Sequence, residues 1–193
     1  MRTTLLFIRH GETAWNRAKR YCGWHDVALS AGGEAQVRRL ARRLAGARID
    51  AVYSSDRRRA LQTARILFKR RHITQVPDLR EMNFGVFEGL THKEVLKAYP
   101  AVYRRWLRAP FKVVIPEGEG LRGFQRRAVK ALNSIVRKNQ GRTVAVVCHG
   151  GIVATLVMHI KRTKDFWHYI PSAASVTKVL YIGKRGRLEI FNG

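Results

Sequence analysis

The stretch "TTLLFIRHGETAWN", Thr3 to Asn16, sets an apolar run against an abrupt polar end, and its reading decides the fold. Thr4 to Ile8 has the short, continuous apolar character of a strand, and Ala51 to Tyr53 and Thr143 to Cys148 ("TVAVVC") repeat it. These runs carry little period-two alternation, as expected of central parallel strands covered on both faces. Helical patterns lie between them. In "EAQVRRLARRLA", Val37, Leu40, Ala41 and Leu44 share one face and Arg38, Arg39, Arg42 and Arg43 take the other, with Ser30 placed to cap the helix and Glu34 in its first turn. Further helices are expected from about Arg57 to Lys69, Thr91 to Ala98, Ala101 to Leu107, Leu121 to Val136 and Ile152 to Ile160. The tail "SVTKVLYIGKRGRLEIF" reads as a hairpin of two strands, Val176 to Ile182 and Leu188 to Phe191, around a Gly-containing turn. Alternating strands and helices imply a layered α/β fold with a largely parallel sheet.

Length and composition bound the class. The 193 residues favour one domain, 1–193, with a sizeable core, and 46% hydrophobic content fits a globular chain. No apolar stretch is long enough to span a membrane, and the N-terminus lacks the features of a signal peptide, so a soluble cytoplasmic protein is expected. Cys22 and Cys148 are the only cysteines and neither has metal-ligand spacing to another; both are read as reduced thiols, and no metal or other cofactor is expected. The charge is unusual: 38 Lys and Arg against 13 Asp and Glu give a formal net charge of +25. That excess favours anionic substrates or a polyanionic partner and identifies neither.

In open α/β sheets, ligand sites gather beyond the carboxyl ends of the strands. The first strand ends in Arg9-His10-Gly11, the second in Ser54-Ser55-Asp56 with Arg57 to Arg59 following, and "TVAVVC" in His149-Gly150-Gly151. Two histidines and an arginine cluster therefore converge on one rim. "LREMNFGVFEG", Leu79 to Gly89, and "IPEGEG", Ile115 to Gly120, are candidates to join them. A neutral imidazole is a competent nucleophile at phosphorus, guanidinium groups bind phosphoryl oxygens through several donors, and a nearby carboxyl can protonate a leaving alkoxide and later deprotonate water. Glycine after each histidine is read as leaving room for a ligand near the backbone. Singly, each element has an ordinary structural reading: a histidine bonded at a strand end, a solvated arginine-rich helix start, a surface carboxylate. Together they describe phosphomonoester hydrolysis through a phosphohistidine.

These residues resemble the histidine phosphatase superfamily, which includes the cofactor-dependent phosphoglycerate mutases. The resemblance rests on "RHGETAWN" from Arg9, "GWHDVALSAGG" from Gly23, "SSDRRRALQTA" from Ser54, "LREMNFGVFEGLT" from Leu79 and "VVCHGGIVATL" from Val146, and it spans nearly the whole chain. It implies a three-layer α/β/α sandwich, His10 as nucleophile, Arg9, Arg59 and His149 around the phosphoryl group, and Glu81 as proton donor. Asn16, Cys22, Gly23 and Gly150 are implied as substrate contacts. "FGVFEG" followed by Leu90-Thr91 is similar to the phosphatase branch, in particular α-ribazole phosphatases and broad-specificity relatives. Mutases are generally longer, with a tail over the site, whereas this sequence ends directly after its last strand; an open site that admits water, and hence hydrolysis, is expected.

The sequence departs from the family pattern at Gly120, where a serine that could contact ligand or cap the next helix is usual, at Ala154, where phosphatases of this type often have arginine, and at Phe87, where tryptophan is usual. These departures bear on the substrate and leave the phosphoryl-transfer centre intact. Two other readings stay open: phosphoryl transfer of the mutase type, and a protein that uses this scaffold to bind nucleic acid or another polyanion. The basic residues of "RRLARR", "FKRR", "YRRWLR", "FQRR" and "GKRGR" fall mostly on polar helix faces, the usual pattern of a solvated surface, and no recognised nucleic-acid module accompanies them. Tyr99, Tyr103 and Trp106 are read as cap or core contacts. Oligomeric state is not legible.

Overall fold

The computed structural model describes residues 1–183 and 185–193. Its centre is a six-stranded sheet in the order β3-β2-β4-β1-β5-β6. The strands are β1 (Arg2–Arg9), β2 (Ala51–Ser54), β3 (Ile73–Gln75), β4 (Thr143–Cys148), β5 (Val176–Ile182) and β6 (Arg185–Ile190). The first four in spatial order run parallel, while β5 is antiparallel to β1 and β6 to β5. The missing alternation in β1 and β4 has its cause here. Leu5 and Phe7 of β1, with Val144, Val146 and Cys148 of β4, enter one core, and Leu6, Ile8, Ala145 and Val147 enter another on the opposite face.

Helices α1 (Ala14–Arg17), α2 (Ala31–Arg43), α3 (Arg58–Leu67), α4 (His92–Ala98), α5 (Pro100–Arg108), α6 (Leu121–Lys138) and α7 (Gly150–Lys161) complete the chain. On one face α2 contributes Leu40 and α3 contributes Ala60 and Ala64 to the core. Ser30 caps α2 as expected, its Oγ accepting from the Gly33 amide. On the other face α7 is apolar nearly all round because it lies between the sheet and α6, which buries Phe124, Ala128, Leu132 and Ile135. The result is a mixed α/β layered molecule, with Tyr103, Trp106 and Phe87 in an aromatic core cluster as read from the sequence.

The differences are local. β3 is a short edge strand with no apolar run, and α1 is a single turn held by a Thr13–Asn16 capping box, so neither carries a periodic signal. β6 begins at Arg185 rather than Leu188, because edge pairing to β5 recruits polar residues. Of the turn, Gly183 has φ of +59°, and Lys184 lies outside the described residues. Gly120 starts α6 without a side-chain cap, as the missing serine implied, and Ala154 is buried within α7. Among the described residues no helix is long and apolar enough to cross a membrane.

Candidate active site

Strand register assembles the rim. Arg9 of β1 stands opposite Cys148 of β4, and Ser54 of β2 opposite Val147, so the residues after each strand end become neighbours. The His10 amide donates to the Cys148 carbonyl at 3.0 Å and the Ser55 amide to the Val147 carbonyl at 2.9 Å, extending the ladder one step beyond the strands. The His10 and His149 rings then meet with centroids 5.1 Å apart.

The His10 tautomer follows from its partners. Nδ1 lies 2.7 Å from the Gly11 carbonyl, which can only accept, so the ring proton is on Nδ1. Nε2 keeps its lone pair and accepts from Arg59 Nε at 3.2 Å. Burial, followed by the positive fields of Arg59 and Arg9, holds the His10 pKa well below its ordinary value of 6.5. His149 is shifted the same way, again by burial first and then by Arg59. Its Nε2 is 2.9 Å from the Ser55 hydroxyl, while its Nδ1 is buried without a hydrogen-bond partner. The Arg57 amide also donates to Ser55 Oγ, so Nδ1 is the His149 nitrogen left for a ligand.

Arg59 is fully buried, at 0% exposure, and donates to the carbonyls of His25, Gly23 and Cys22. Arg9 donates to the Pro171 carbonyl and leaves a buried Nε without a partner. Among the described residues neither guanidinium forms a salt bridge. Glu81 approaches them from the segment that follows β3. Its Oε2 accepts from the Gly151 amide at the start of α7 and its Oε1 from the Met82 amide. Burial raises its pKa, against those two amides and the arginines, which favour the charged form. The His10 and Glu81 shifts are opposite in sign: burial favours the neutral imidazole on one side of the site and the protonated carboxyl on the other.

The other expected contacts fall into two groups. Asn16 spends its Oδ1 on Thr13, leaving the amide Nδ2 as its free donor group. Cys22 and Gly23 present carbonyls to Arg59, and burial raises the Cys22 thiol pKa. Gly150 packs its Cα against Ile170 and the Arg9 guanidinium. For Gly11 the reading as space for ligand is corrected: a Cβ there would lie 2.6 Å from the Gly33 carbonyl oxygen, so that glycine admits α2. The reacting side chains lie deep: His10 is 4% exposed and Glu81 8%, with the Trp24 ring nitrogen donating to the Glu81 carbonyl and Arg9 to the Pro171 carbonyl.

Three supporting residues were given no role by the sequence reading. Ser55 orients His149. Glu88 gathers the Trp24, His25 and Phe84 amides, fixing the loop whose carbonyls hold Arg59. Arg127 of α6, paired with Glu119, donates to the carbonyls of Asp78, Arg80 and Glu81. "IPEGEG" thus joins the site through Glu119 and Arg127, behind Glu81. Among the described residues no group of three or more His, Cys, Asp or Glu side chains is arranged to hold a metal ion.

The family model for the histidine phosphatase superfamily (branch 1) matches residues 5–193. Phosphoglycerate mutase-like protein 4 of Arabidopsis thaliana is 35% identical over 181 residues, 91% of this chain and 75% of that protein. Phosphoserine phosphatase 1 of Hydrogenobacter thermophilus is 33% identical over 147 residues, 75% of this chain and 70% of its own. The solved structure of the α-ribazole phosphatase from Shigella flexneri superposes with a TM-score of 0.91 at 25% identity, covering 100% of this chain and 96% of that one.

Proposed function

The chain belongs to the histidine phosphatase superfamily (branch 1), and we propose that it is a phosphomonoesterase acting on small phosphorylated metabolites through a phosphohistidine at His10. The observation that carries this reading is a pair of guanidinium groups without a salt-bridge partner among the described residues, Arg59 fully buried and Arg9 half-buried with its Nε enclosed, beside a neutral imidazole whose Nε2 lone pair faces Arg59. Uncompensated buried cations are costly, and a phosphoryl dianion supplies the missing charge.

In the first step the Nε2 lone pair of His10 attacks phosphorus and the P–O ester bond breaks. Glu81 gives its proton to the leaving oxygen. Arg59 exchanges the His10 lone pair for a phosphoryl oxygen, and the Nδ1–H of His149 donates to another. The Gly11 carbonyl stabilises the positive charge that develops on the His10 ring. In the second step Glu81, now a carboxylate, takes a proton from water as the water oxygen attacks phosphorus. The P–N bond breaks, its electrons return to Nε2, and phosphate leaves with Glu81 protonated again. Arg9, Arg59 and His149 are fixed before the reaction, so their stabilisation of the transition state needs little reorganisation.

α-Ribazole 5′-phosphate is the first substrate to test, supported by the "FGVFEG" stretch and the Shigella likeness, with phosphoserine beside it because of the Hydrogenobacter relative. The alternative, mutase-type transfer, differs in the fate of the phosphoenzyme. Enzyme mixed with a phosphorus-labelled ester and quenched in alkali should carry label on His10 that passes to free phosphate on standing. Label on another residue, or label delivered to an acceptor alcohol instead of water, would reject the hydrolase reading.

A further inference from the structure

The 18-residue helix α6 carries six Lys and Arg and no acidic residue. Arg127 is turned toward Glu119, but Arg122, Arg126, Lys130 and Arg137 lie exposed along one face, in line with Asn133. None of these four cations forms a salt bridge among the described residues. The first three are four residues apart, about 6 Å along the axis, a spacing at which like charges destabilise a helix. A helix macrodipole favours cations at its C-terminus, which accounts for Arg137 and Lys138; it opposes Arg122 and Arg126 near the N-terminus. Helix physics therefore does not explain the stripe.

At its C-terminal end the stripe opens into a cleft of about 520 Å³ between α6, the end of α7 and the β5–β6 hairpin. His159 and Arg162 from α7 and its C-cap, Arg185 from β6, and the Tyr181 and Asn133 side chains line it, and no carboxylate is among the described residues that do so. A hollow of about 770 Å³ that shares Asn133, His159 and Tyr181 connects it to Arg137 and Gln140. Cations from three sequence-distant elements thus meet around an empty concavity. The cleft is remote from His10: α7 starts at the active site with Gly150 and reaches the cleft twelve residues later, about 18 Å away along its axis.

We propose that the exposed face of α6 and this cleft bind the phosphodiester backbone of single-stranded nucleic acid. The stripe presents cations at intervals that suit successive phosphates of an extended strand, and the concavity suits a strand better than a flat anionic membrane. Tyr181, the aromatic ring among the described residues that line the cleft, is buried, so bases find no stacking platform there, and binding is independent of sequence and strongly salt-dependent.

The test measures fluorescence anisotropy of a labelled single-stranded oligonucleotide against salt for three proteins. They are the wild type, an α6 variant (Arg122, Arg126, Lys130 and Arg137 each to Gln) and a control of equal charge on the opposite face (Arg39, Arg42, Arg43 and Arg65 each to Gln). Expected is a loss of at least tenfold in affinity for the α6 variant at about 50 mM salt, with the slope of log K against log salt shallower by up to about 3, and a much smaller change for the control. A second variant, Arg162→Gln with Arg185→Gln, should weaken binding in the same direction, and aryl phosphatase activity should persist in all of them. Equal losses in the α6 variant and the control, no wild-type binding at low salt, or tighter binding to phosphatidylserine vesicles than to the strand would overturn the proposal.

Discussion

The two nitrogens of His10 have separate tasks: Nδ1 is tied to the Gly11 carbonyl and Nε2 is left to react. Glu81 complements it: burial raises its pKa while backbone amides hold both of its oxygens. Replacing Glu81 by Gln removes the acid while keeping the side chain's shape. Turnover of an alkyl phosphate should fall by about 10²- to 10⁴-fold, and that of an aryl phosphate with a good leaving group much less. The alkaline fall in kcat/KM, caused by ionisation of Glu81, should disappear in the same variant. Equal losses on both esters, or an unchanged alkaline limb, would remove Glu81 from the acid role. Sequence alone brought out His10, His149 and Glu81 because each sits in a motif beside a strand end or a glycine-containing turn. Ser55 and Arg127 stayed hidden because their parts depend on what lies across the fold from them: the Ser55 hydroxyl matters only where the register brings His149 to it, and Arg127 looks like any other cation of α6 until its three carbonyl partners are known.

At the level of elements, the site depends on how closely helices approach the strand ends. Gly11 lies under α2, and a Cβ there would stand 2.6 Å from the Gly33 oxygen and 2.7 Å from Val37. Gly11→Ala should therefore destabilise the protein by about 1–3 kcal/mol through overpacking. A Cβ on Gly151 would instead meet Glu81 Oε1 at 2.3 Å, the end of a side chain that can swing away. Gly151→Ala should leave the urea midpoint close to wild type and reduce kcat strongly by displacing the acid. A large loss of stability in Gly151→Ala with normal kcat would contradict this placement of Glu81. Most elements were legible because both central strands and the amphipathic helices leave strong patterns. The single-turn helix α1 and the edge strand β3 were not, since capping and edge pairing order residues that have no hydrophobic period. Asn16 shows the limit: its motif marked it as a ligand contact, whereas its carbonyl also closes the capping box of α1.

For the whole molecule, the buried histidines link folding to pH. Their pKa values are depressed in the native state, so the unfolded chain takes up protons as pH falls through about 6.5 while the native state does not. The stability they permit is present above that pH and lost below it, at about 1.4 kcal/mol per pH unit for each ring. Glu81 has the opposite sign: its contribution is complete below 4.5 and declines as pH rises through its elevated native value. The urea midpoint should drop between pH 6.5 and 5, with a shallower drop in His149→Gln; a flat midpoint across that range would mean that the rings are not held neutral. The central claim is chemical, and the most direct measurement is hydrolysis of an aryl phosphate with excess chelator present, comparing wild type with folded His10→Ala. Expected is activity that survives the chelator and vanishes with His10. Activity abolished by the chelator, or undiminished without His10, would contradict a phosphohistidine hydrolase.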